Sequence, residues 1–256
     1  VPGDGGGAAG GTGRGAMILV SLHLPKTAGT SFLALLEAAY DGQLLRDYGD
    51  RPLNRPAWRR NGRALVAGLG NALPRRRLRG LRCIHGHFLP LKYRGLALRQ
   101  ELRFVAWLRD PVERLGSHYF YWQRSYNPLD AGRLHRRVVE ERWDLERFCL
   151  GPELRNTYSK FLWGFPLTAF DFIGITEHYA EDLRDFGTRF LGGELPQMPP
   201  RNVNSAAPAA AGAYITDTAF RARIEAYHAE DMALYRQALE LPVEPDERFG
   251  AFGPDE

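Results

Sequence analysis

The sequence predicts an α/β fold in three layers, with a mainly parallel central sheet and helices on both faces. Three observations support this prediction. Apolar segments of strand length recur along the 256 residues, segments with helical periodicity lie between them, and turn residues separate the two kinds. Strands that alternate with helices are typical of a parallel sheet covered on both sides. A chain of this length can bury the full core of one such domain.

The first unit is a strand, a loop and a helix. Residues 18–23 have the apolar composition of a short buried strand, and Pro25 and Gly29 mark the loop that follows. Thr30 or Ser31 can cap a helix whose apolar side chains follow the i, i+3, i+4, i+7 spacing. This order is typical of the first half of a βαβ unit.

The later elements are predicted in the same way. Residues 103–108 are predicted to form a strand, and a helix is predicted to follow it, with Asp110 as a good N-cap and Pro111 suited to the first helical position. Residues 41–80 are predicted to be irregular, because prolines and many arginines interrupt them. The remaining strands are predicted at 81–84 and 171–175. The helix that begins at Pro111 is expected to face the core with an apolar stripe made of Val112, Leu115, Tyr119 and Trp122. Further helices are predicted at 144–150, 154–163, 177–191 and 216–238.

Composition limits the protein class. Residues 1–16 are Gly-rich, so we predict a flexible leader followed by a single domain over residues 17–256. No apolar run approaches the ~20 residues that a membrane-spanning helix needs. Cys83 and Cys149 cannot form the disulfide framework of a small secreted domain, and two buried thiols are favoured over a single bridge. A formal charge of +4 favours anionic partners only mildly.

The loop between the first strand and helix, Leu24 to Ser31, has the features of an anion site. Free backbone N–H groups and the helix dipole point at whatever lies above the sheet. Gly29 allows close approach, and Lys26 supplies a mobile positive charge. The loop is not a Walker A loop, where the lysine comes last, after a second glycine. The alternative is an ordinary turn with an incidental lysine.

Arg109 and Ser117 form a second candidate site. Arg109 leaves the carboxyl end of a strand, where open α/β sheets bind ligands. Ser117 lies about 140° around the helix from Val112, so we expect it to face away from the apolar stripe. An arginine fork with a hydroxyl can hold a separate phosphate. The alternative is a surface arginine paired with Asp110 or Glu113.

His85 and His87 form a third candidate site at a strand end. Their i, i+2 spacing lets both imidazoles project to the same side, and histidine is the usual general base near neutrality. A metal pair is a weaker alternative, because no third ligand lies at useful spacing. A pair of structural histidines is the stronger alternative.

Together these three motifs resemble a known family. They are PKTAGTS, IHGHF and LRDPVERLGSHY, in this order along the chain. In combination they are similar to the sulfotransferases that use 3′-phosphoadenosine 5′-phosphosulfate (PAPS). The most similar branch is the carbohydrate branch with heparan sulfate 2-O-sulfotransferase and the uronyl sulfotransferases. The resemblance runs from Ile18 to the C-terminal helix and implies a P-loop-like form of the three-layer fold.

The resemblance implies a role for each motif. The first loop would hold the 5′-phosphosulfate, and Lys26 would neutralise the bridging oxygen as it leaves, so no metal is expected. Arg109 and Ser117 match the pair that grips the 3′-phosphate. Either His85 or His87 would take the proton of the acceptor hydroxyl. The loop residues that this implies are Lys26, Thr27, Ala28, Gly29, Thr30 and Ser31.

The resemblance also implies partners and location. PAPS would be the donor, adenosine 3′,5′-bisphosphate (PAP) the product, and a hydroxyl on a saccharide or glycan the acceptor, with no nucleic-acid partner. Arg201, Asn204 and Ser205 lie where the family closes a segment over the nucleotide. The animal members are anchored in the Golgi, whereas this sequence shows no anchor or signal peptide. We therefore expect a soluble cytoplasmic enzyme of a bacterium, of unassigned oligomeric state.

Two other functions fit part of the sequence. An ATP-dependent small-molecule kinase would need a metal-holding carboxylate and a loop that ends in Lys-Ser/Thr, and neither is visible. A non-catalytic module that binds anions or RNA would use the basic runs 75–79 and 59–60. Such runs are usually solvated faces, and the 30 acidic residues weaken any general affinity for polyanions.

Overall fold

A parallel β-sheet forms the centre of the protein. The computed structural model describes residues 15–74, 76–193, 195–196 and 213–241. Within these residues the sheet has five strands in the order β2-β3-β1-β4-β5, and every neighbouring pair is parallel. The strands are β1 Gly15–Leu22, β2 Leu44–Asp47, β3 Cys83–Gly86, β4 Gln100–Leu108 and β5 Phe172–Ile175. The predicted α/β fold with a parallel sheet is confirmed.

Helices connect the strands and follow the last one. In the described residues they are α1 Gly29–Tyr40, α2 Ala57–Asn71, α3 Pro111–Arg124, α4 Arg133–Glu140, α5 Leu145–Leu150, α6 Thr157–Phe161, α7 Tyr179–Phe190, α8 Thr218–Tyr227 and α9 Ala229–Glu240. A long 3-10 segment, Pro90–Leu98, precedes β4. None of the described helices is long and apolar enough to cross a membrane.

The core has two layers, one on each face of the sheet. Alternate side chains of a strand point to opposite faces, so Val105 and Trp107 pack with Phe32 of α1 and Phe186 of α7. On the other face, Ala106 and its neighbours pack with the 3-10 segment, α6 and α9. Helical layers therefore cover both faces, as predicted.

A third apolar cluster lies under α3. Asp110 caps this helix by accepting hydrogen bonds from the N–H groups of Val112 and Glu113, and Pro111 occupies the first position, both as predicted. The predicted stripe packs here with α4, α5 and α8. Val112 and Leu115 are buried, and Tyr119 and Trp122 pack against them. The cap and the stripe fix how α3 leaves the sheet.

The prediction that residues 41–80 are irregular is wrong. They contain β2 and α2, and each differs from a typical strand or helix for a physical reason. β2 is only four residues long, and the buried face of α2 is made of Ala64, Gly68 and Asn71 rather than large apolar side chains. α4 lies outside the predicted helices, and the predicted helix 216–238 is two helices that meet at His228.

Two further sequence predictions concern the ends and the cysteines. β1 begins at Gly15, two residues inside the predicted leader, and residues 1–14 lie outside the described residues. Cys83 and Cys149 are both buried and unpaired. Burial raises the pKa of the Cys149 thiol to about 12, so this cysteine stays a thiol at neutral pH.

Candidate functional site

The carboxyl edge of the sheet brings the candidate residues together. Neighbouring strands β3, β1, β4 and β5 end there, and the register pairs Leu22 of β1 with both Gly86 and Ala106. From β1 the chain continues to β2 at one lateral end of the sheet, and from β4 it continues to β5 at the other. Open α/β sheets bind ligands at such a switch in strand order. Lys26 follows β1 and Arg109 follows β4, so the two predicted anion sites share this edge.

The loop after β1 has the geometry of an anion cradle. Lys26 and Ala28 adopt left-handed backbone conformations, with φ of 67° and 59°. None of the main-chain N–H groups of residues 26–30 donates a hydrogen bond to an acceptor in the part of the chain that the structure describes. Consecutive free N–H groups at a helix start form a site for phosphate or sulfate. The loop therefore presents consecutive free N–H groups, and their binding of an anion stays a prediction.

The hydroxyls of this loop differ from the prediction. Ala28 is the N-cap of α1 and makes no side-chain cap bond, so the predicted cap at Thr30 or Ser31 is wrong. Both of those side chains are exposed. Thr27 is buried and donates its hydroxyl to the carbonyl of Leu24 at 3.0 Å, which ties the loop to itself. The loop therefore offers an incoming anion the hydroxyls of residues 30 and 31.

Gly29 is required by a side chain rather than by a ligand. A Cβ at this position would lie 1.8 Å from Nε2 of His23. Carbon cannot approach a ring atom that closely, so any larger residue must displace the imidazole or the start of α1. The glycine thus lets the helix begin directly against His23, which leads from β1 into the loop.

Lys26 lies among cations and an aromatic ring. Its Nζ lies 3.8 Å from the centroid of the Tyr121 ring, a cation–π contact. Burial, followed by the charges of Arg109 and Arg124, lowers the pKa of Lys26 to about 8. Among the described residues, no carboxylate lies within ion-pair distance of this ammonium. Its charge is therefore available to an anion that enters the loop.

Three imidazoles lie close together beside this loop. The ring of His23 lies 5.1 Å from that of His85 and 4.4 Å from that of His87. Nδ1 of His23 lies 3.0 Å from the hydroxyl of Tyr48, and Nδ1 of His85 lies 2.8 Å from the hydroxyl of Ser21. The ring of His87 donates from Nδ1 to the carbonyl of His23 at 2.5 Å. The predicted histidine pair is thus part of a larger cluster.

The two predicted histidines differ in exposure and in proton affinity. His85 is 1% exposed, and burial lowers its pKa to about 3. Burial also lowers the pKa of His87, against the opposing effect of the hydrogen bond to the His23 carbonyl. That bond places the single proton of neutral His87 on Nδ1 and leaves the lone pair on Nε2. His87 is partly exposed, so it can meet a substrate and His85 cannot.

Arg109 is held by its backbone and has few side-chain partners. Its main-chain N–H donates to the Tyr158 hydroxyl at 3.0 Å, and its carbonyl accepts from the same hydroxyl at 2.6 Å. Its Nε lies 4.0 Å from Glu177, and its guanidinium lies 5.4 Å from the ring centroid of Tyr214. Arg221 contacts the carboxylates of Asp110 and Glu113. The alternative in which Arg109 pairs with those two acids is therefore wrong.

Ser117 is less accessible than its position on α3 suggested. The side chain was expected to face away from the core, but the residue is only 6% exposed. Its neighbour Gly116 contacts Tyr214, whose Cβ would lie 2.5 Å from a Cβ at position 116. The segment at Tyr214 thus covers this turn of α3 close to Arg109, which explains the burial.

A buried ion pair supports the same region from behind. Arg114 and Asp231 are both fully buried, with Nη2 3.8 Å from Oδ2. Asp231 also accepts the N–H groups of Tyr158 and Ser159 at the start of α6. Burial raises the pKa of Asp231, while Arg114 and the two N–H groups lower it. Since Tyr158 binds both backbone groups of Arg109, this pair positions the arginine.

No role beside Lys26 was predicted for several residues of the site, although Tyr121 is among the aromatic residues that the sequence offers as a lining for a saccharide cleft. Tyr121 contacts Lys26 through its ring, and the charge of Arg124 lowers the pKa of Lys26. These two residues lie four and seven positions after Ser117. This helical spacing was a signal that places all three on one side of α3. His23 and Tyr48 had no such signal, because their position depends on how β1 and β2 sit around β3.

Other features lie elsewhere or outside the described residues. Arg201, Asn204 and Ser205 fall outside them. No group of three or more potential metal-ligating side chains occurs within residues 15–74, 76–193, 195–196 and 213–241. A cavity of about 880 Å³ lies at the opposite edge of the sheet, lined in part by Tyr40, Arg82 and Phe190. It shares no residue with the cradle.

The comparisons with known proteins gave matches among solved structures. No family model matches the chain, and no curated protein matches it. Among solved structures, it is similar to mouse sulfotransferase SULT7A1 in complex with PAP. The two share 14% sequence identity and a TM-score of 0.37, over 90% of this chain and 68% of the other.

Proposed function

We propose that the protein is a sulfotransferase of the carbohydrate class. It would move the sulfuryl group of PAPS to a hydroxyl of a saccharide acceptor. One observation carries the proposal. A lysine without a carboxylate partner among the described residues heads a loop of free N–H groups, and a neutral imidazole stands on one side with an arginine on the other. This set can hold two separate anionic groups and accept one proton.

Each residue then has a specific task. The N–H groups of residues 26–30 would hold the 5′-phosphosulfate, and Lys26 would neutralise the charge that develops on the phosphate oxygen when its bond to sulfur breaks. Arg109, supported by Tyr158, would bind the 3′-phosphate. Sulfuryl transfer, like phosphoryl transfer, depends mainly on positioning and charge stabilisation. Ser117, Arg201, Asn204 and Ser205 stay predictions for nucleotide contact.

His87 is the better candidate for the general base. Its Nε2 would take the proton of the acceptor hydroxyl as the new oxygen–sulfur bond forms. His85 is buried and bonded to Ser21, so it holds the cluster of rings in place. The ring of Tyr48 stands edge-on to that of His87 with centroids 4.9 Å apart. An aromatic side chain next to the base is a suitable wall for a sugar ring.

Binding and turnover of four variants test the proposal. Calorimetry with PAP should show tight binding to the natural chain and weaker binding to Arg109→Ala. With radiolabelled PAPS and a panel of saccharide acceptors, Lys26→Ala and His87→Ala should each lose most turnover with unchanged circular dichroism. Lys160→Met is the matched control, because Lys160 also has a pKa lowered to about 8 but donates to backbone carbonyls of residues 152 and 153.

The same measurements distinguish the alternatives. Tight binding of ATP with magnesium, and none of PAP, would replace the proposal with a kinase. Turnover of Lys26→Ala at the natural rate would remove the lysine from the mechanism. An RNA gel shift that survives ~200 mM salt, together with no PAP binding, would favour a non-catalytic anion-binding module.

A further inference from the structure

The outer face of α2 exposes an apolar stripe. The stripe consists of Trp58, Leu65, Val66 and Leu69 on α2, with Leu73 just beyond its end. These side chains are 71%, 47%, 72%, 76% and 64% exposed, respectively. Isolated exposed apolar residues are normal, but a contiguous set on one helix marks an interaction surface.

The residues that α2 buries against the protein are not those of the stripe. The helix packs through Ala64, Gly68 and Asn71, and Asn71 donates from Nδ2 to the carbonyl of Lys92 at 2.8 Å. At 100° per residue, Leu69 lies about 100° to 160° around the helix from these three residues, and Leu65 lies about 60° to 120° from them. The large apolar side chains therefore point away from the body of the described chain.

The charge around the stripe has a single sign. Residues 51–79 contain nine arginines and no aspartate or glutamate. The guanidinium of Arg59 lies 4.9 Å from the ring centroid of Trp58, and one turn later the side chain of Arg63 is 59% exposed. Arg63 forms a long ion pair, in which its Nη2 lies 4.0 Å from Oδ1 of Asp50. The stripe thus has a basic flank that lacks neutralising acids on its own segment.

We infer that α2 lies on the surface of a bilayer that contains anionic lipid. A helix with leucines and a tryptophan on one side and arginines beside them matches an interfacial membrane helix. Tryptophan prefers the headgroup level, and each arginine gains attraction to anionic headgroups. A polyanion such as RNA would satisfy the arginines but leave the leucines in water. The inference does not depend on the sulfotransferase proposal.

Vesicle sedimentation with the full chain tests the inference. The protein should pellet with vesicles of phosphatidylglycerol and phosphatidylcholine, bind pure phosphatidylcholine at least about tenfold more weakly, and dissociate in ~0.5 M salt. Tryptophan emission should shift to the blue on binding. Trp58→Phe should remove most of that shift while much of the sedimentation remains, because the other tryptophans lie outside the stripe.

Paired variants separate the stripe from a general effect. Leu65→Gln with Leu69→Gln should abolish sedimentation, whereas Leu129→Gln with Leu239→Gln, at exposed leucines elsewhere, should leave it unchanged. Arg59→Gln with Arg63→Gln should weaken binding about tenfold or more, and the same pair changed to Lys should keep it.

Three outcomes would overturn the inference. They are failure to bind anionic vesicles, equal binding to neutral and anionic vesicles, and a dimer by light scattering that the double leucine variant converts to monomer. The last result would assign the stripe to a second copy of the chain. Each variant is checked by circular dichroism, and its sites are exposed, so loss of folding is not expected to obscure the result.

Discussion

The affinity for PAP should fall as pH rises from 7 to 9.5, because Lys26 loses its proton in that range. Burial and two neighbouring arginines lower the pKa of Lys26 to about 8 in the free protein. A phosphate in the loop would favour the charged ammonium and raise the pKa again. Binding and protonation are therefore linked, and alkaline pH must weaken binding.

The structure gives the size of this effect. With a pKa of about 8, roughly nine-tenths of the molecules carry the charge at pH 7 and about 3% carry it at pH 9.5. If the charged form alone holds the phosphate, affinity falls about 30-fold over this range. If bound phosphate restores the pKa of Lys26 to the ordinary lysine value of 10.5, affinity continues to fall above pH 9.5. The total fall in affinity is then limited to about 300-fold.

Calorimetric titration with PAP at several pH values measures the effect. Phosphate monoesters have a second pKa near ~6, so the ligand is fully charged throughout the range. Lys26→Arg keeps its charge at every pH and should bind with little pH dependence. Lys160→Arg removes the other lysine with a pKa of about 8 and should leave the fall intact. An unchanged fall in Lys26→Arg, or its loss in Lys160→Arg, would refute the reasoning.

Three further substitutions test the construction of the site by urea unfolding. Lys26→Met should raise the free energy of unfolding at pH 7 by up to ~3 kcal/mol, because folding depresses the pKa of this lysine. The gain should shrink as pH rises from 8 to 10.5, because the folded and then the unfolded protein lose the proton of Lys26 over this range. Gly29→Ala should cost about 1–3 kcal/mol and weaken PAP binding, because its Cβ would meet His23; equal stability and affinity would contradict the contact. Asp231→Asn should cost about 3–5 kcal/mol, since it leaves Arg114 buried without a counter-charge; a cost below ~1 kcal/mol would mean that the pair is weak.

The parts of the fold that sequence predicts well are those with local signals. β1 and β4 are apolar runs buried on both faces, and Asp110 with Pro111 marks the start of α3 through two adjacent residues. α2 gave a misleading pattern, because its large apolar side chains face solvent and its small ones face the protein. Periodicity shows which face of a helix is apolar, but not whether that face is covered.

The same distinction applies to the candidate site. Lys26 and Arg109 follow the ends of adjacent parallel strands, so the order of strands alone brings them to one edge. Tyr121 reaches Lys26 only because α3 leaves β4 at a particular angle, and that angle depends on a core built from α4, α5 and α8. Residues at strand ends are therefore predictable, and residues that reach in from helices need the packed structure.

The low proton affinity of the histidine cluster is compatible with a general base in the proposed sulfuryl transfer. Desolvation lowers the pKa of His23, His85 and His87, so all three rings are neutral at pH 7. Such a base is always ready to accept a proton, although it is a weak one. In a loose transition state little bond to the acceptor oxygen has formed, so its proton leaves late and a strong base is not needed. What matters more is that Nε2 of His87 is fixed in place, and the bond to the His23 carbonyl together with the neighbouring rings provides that.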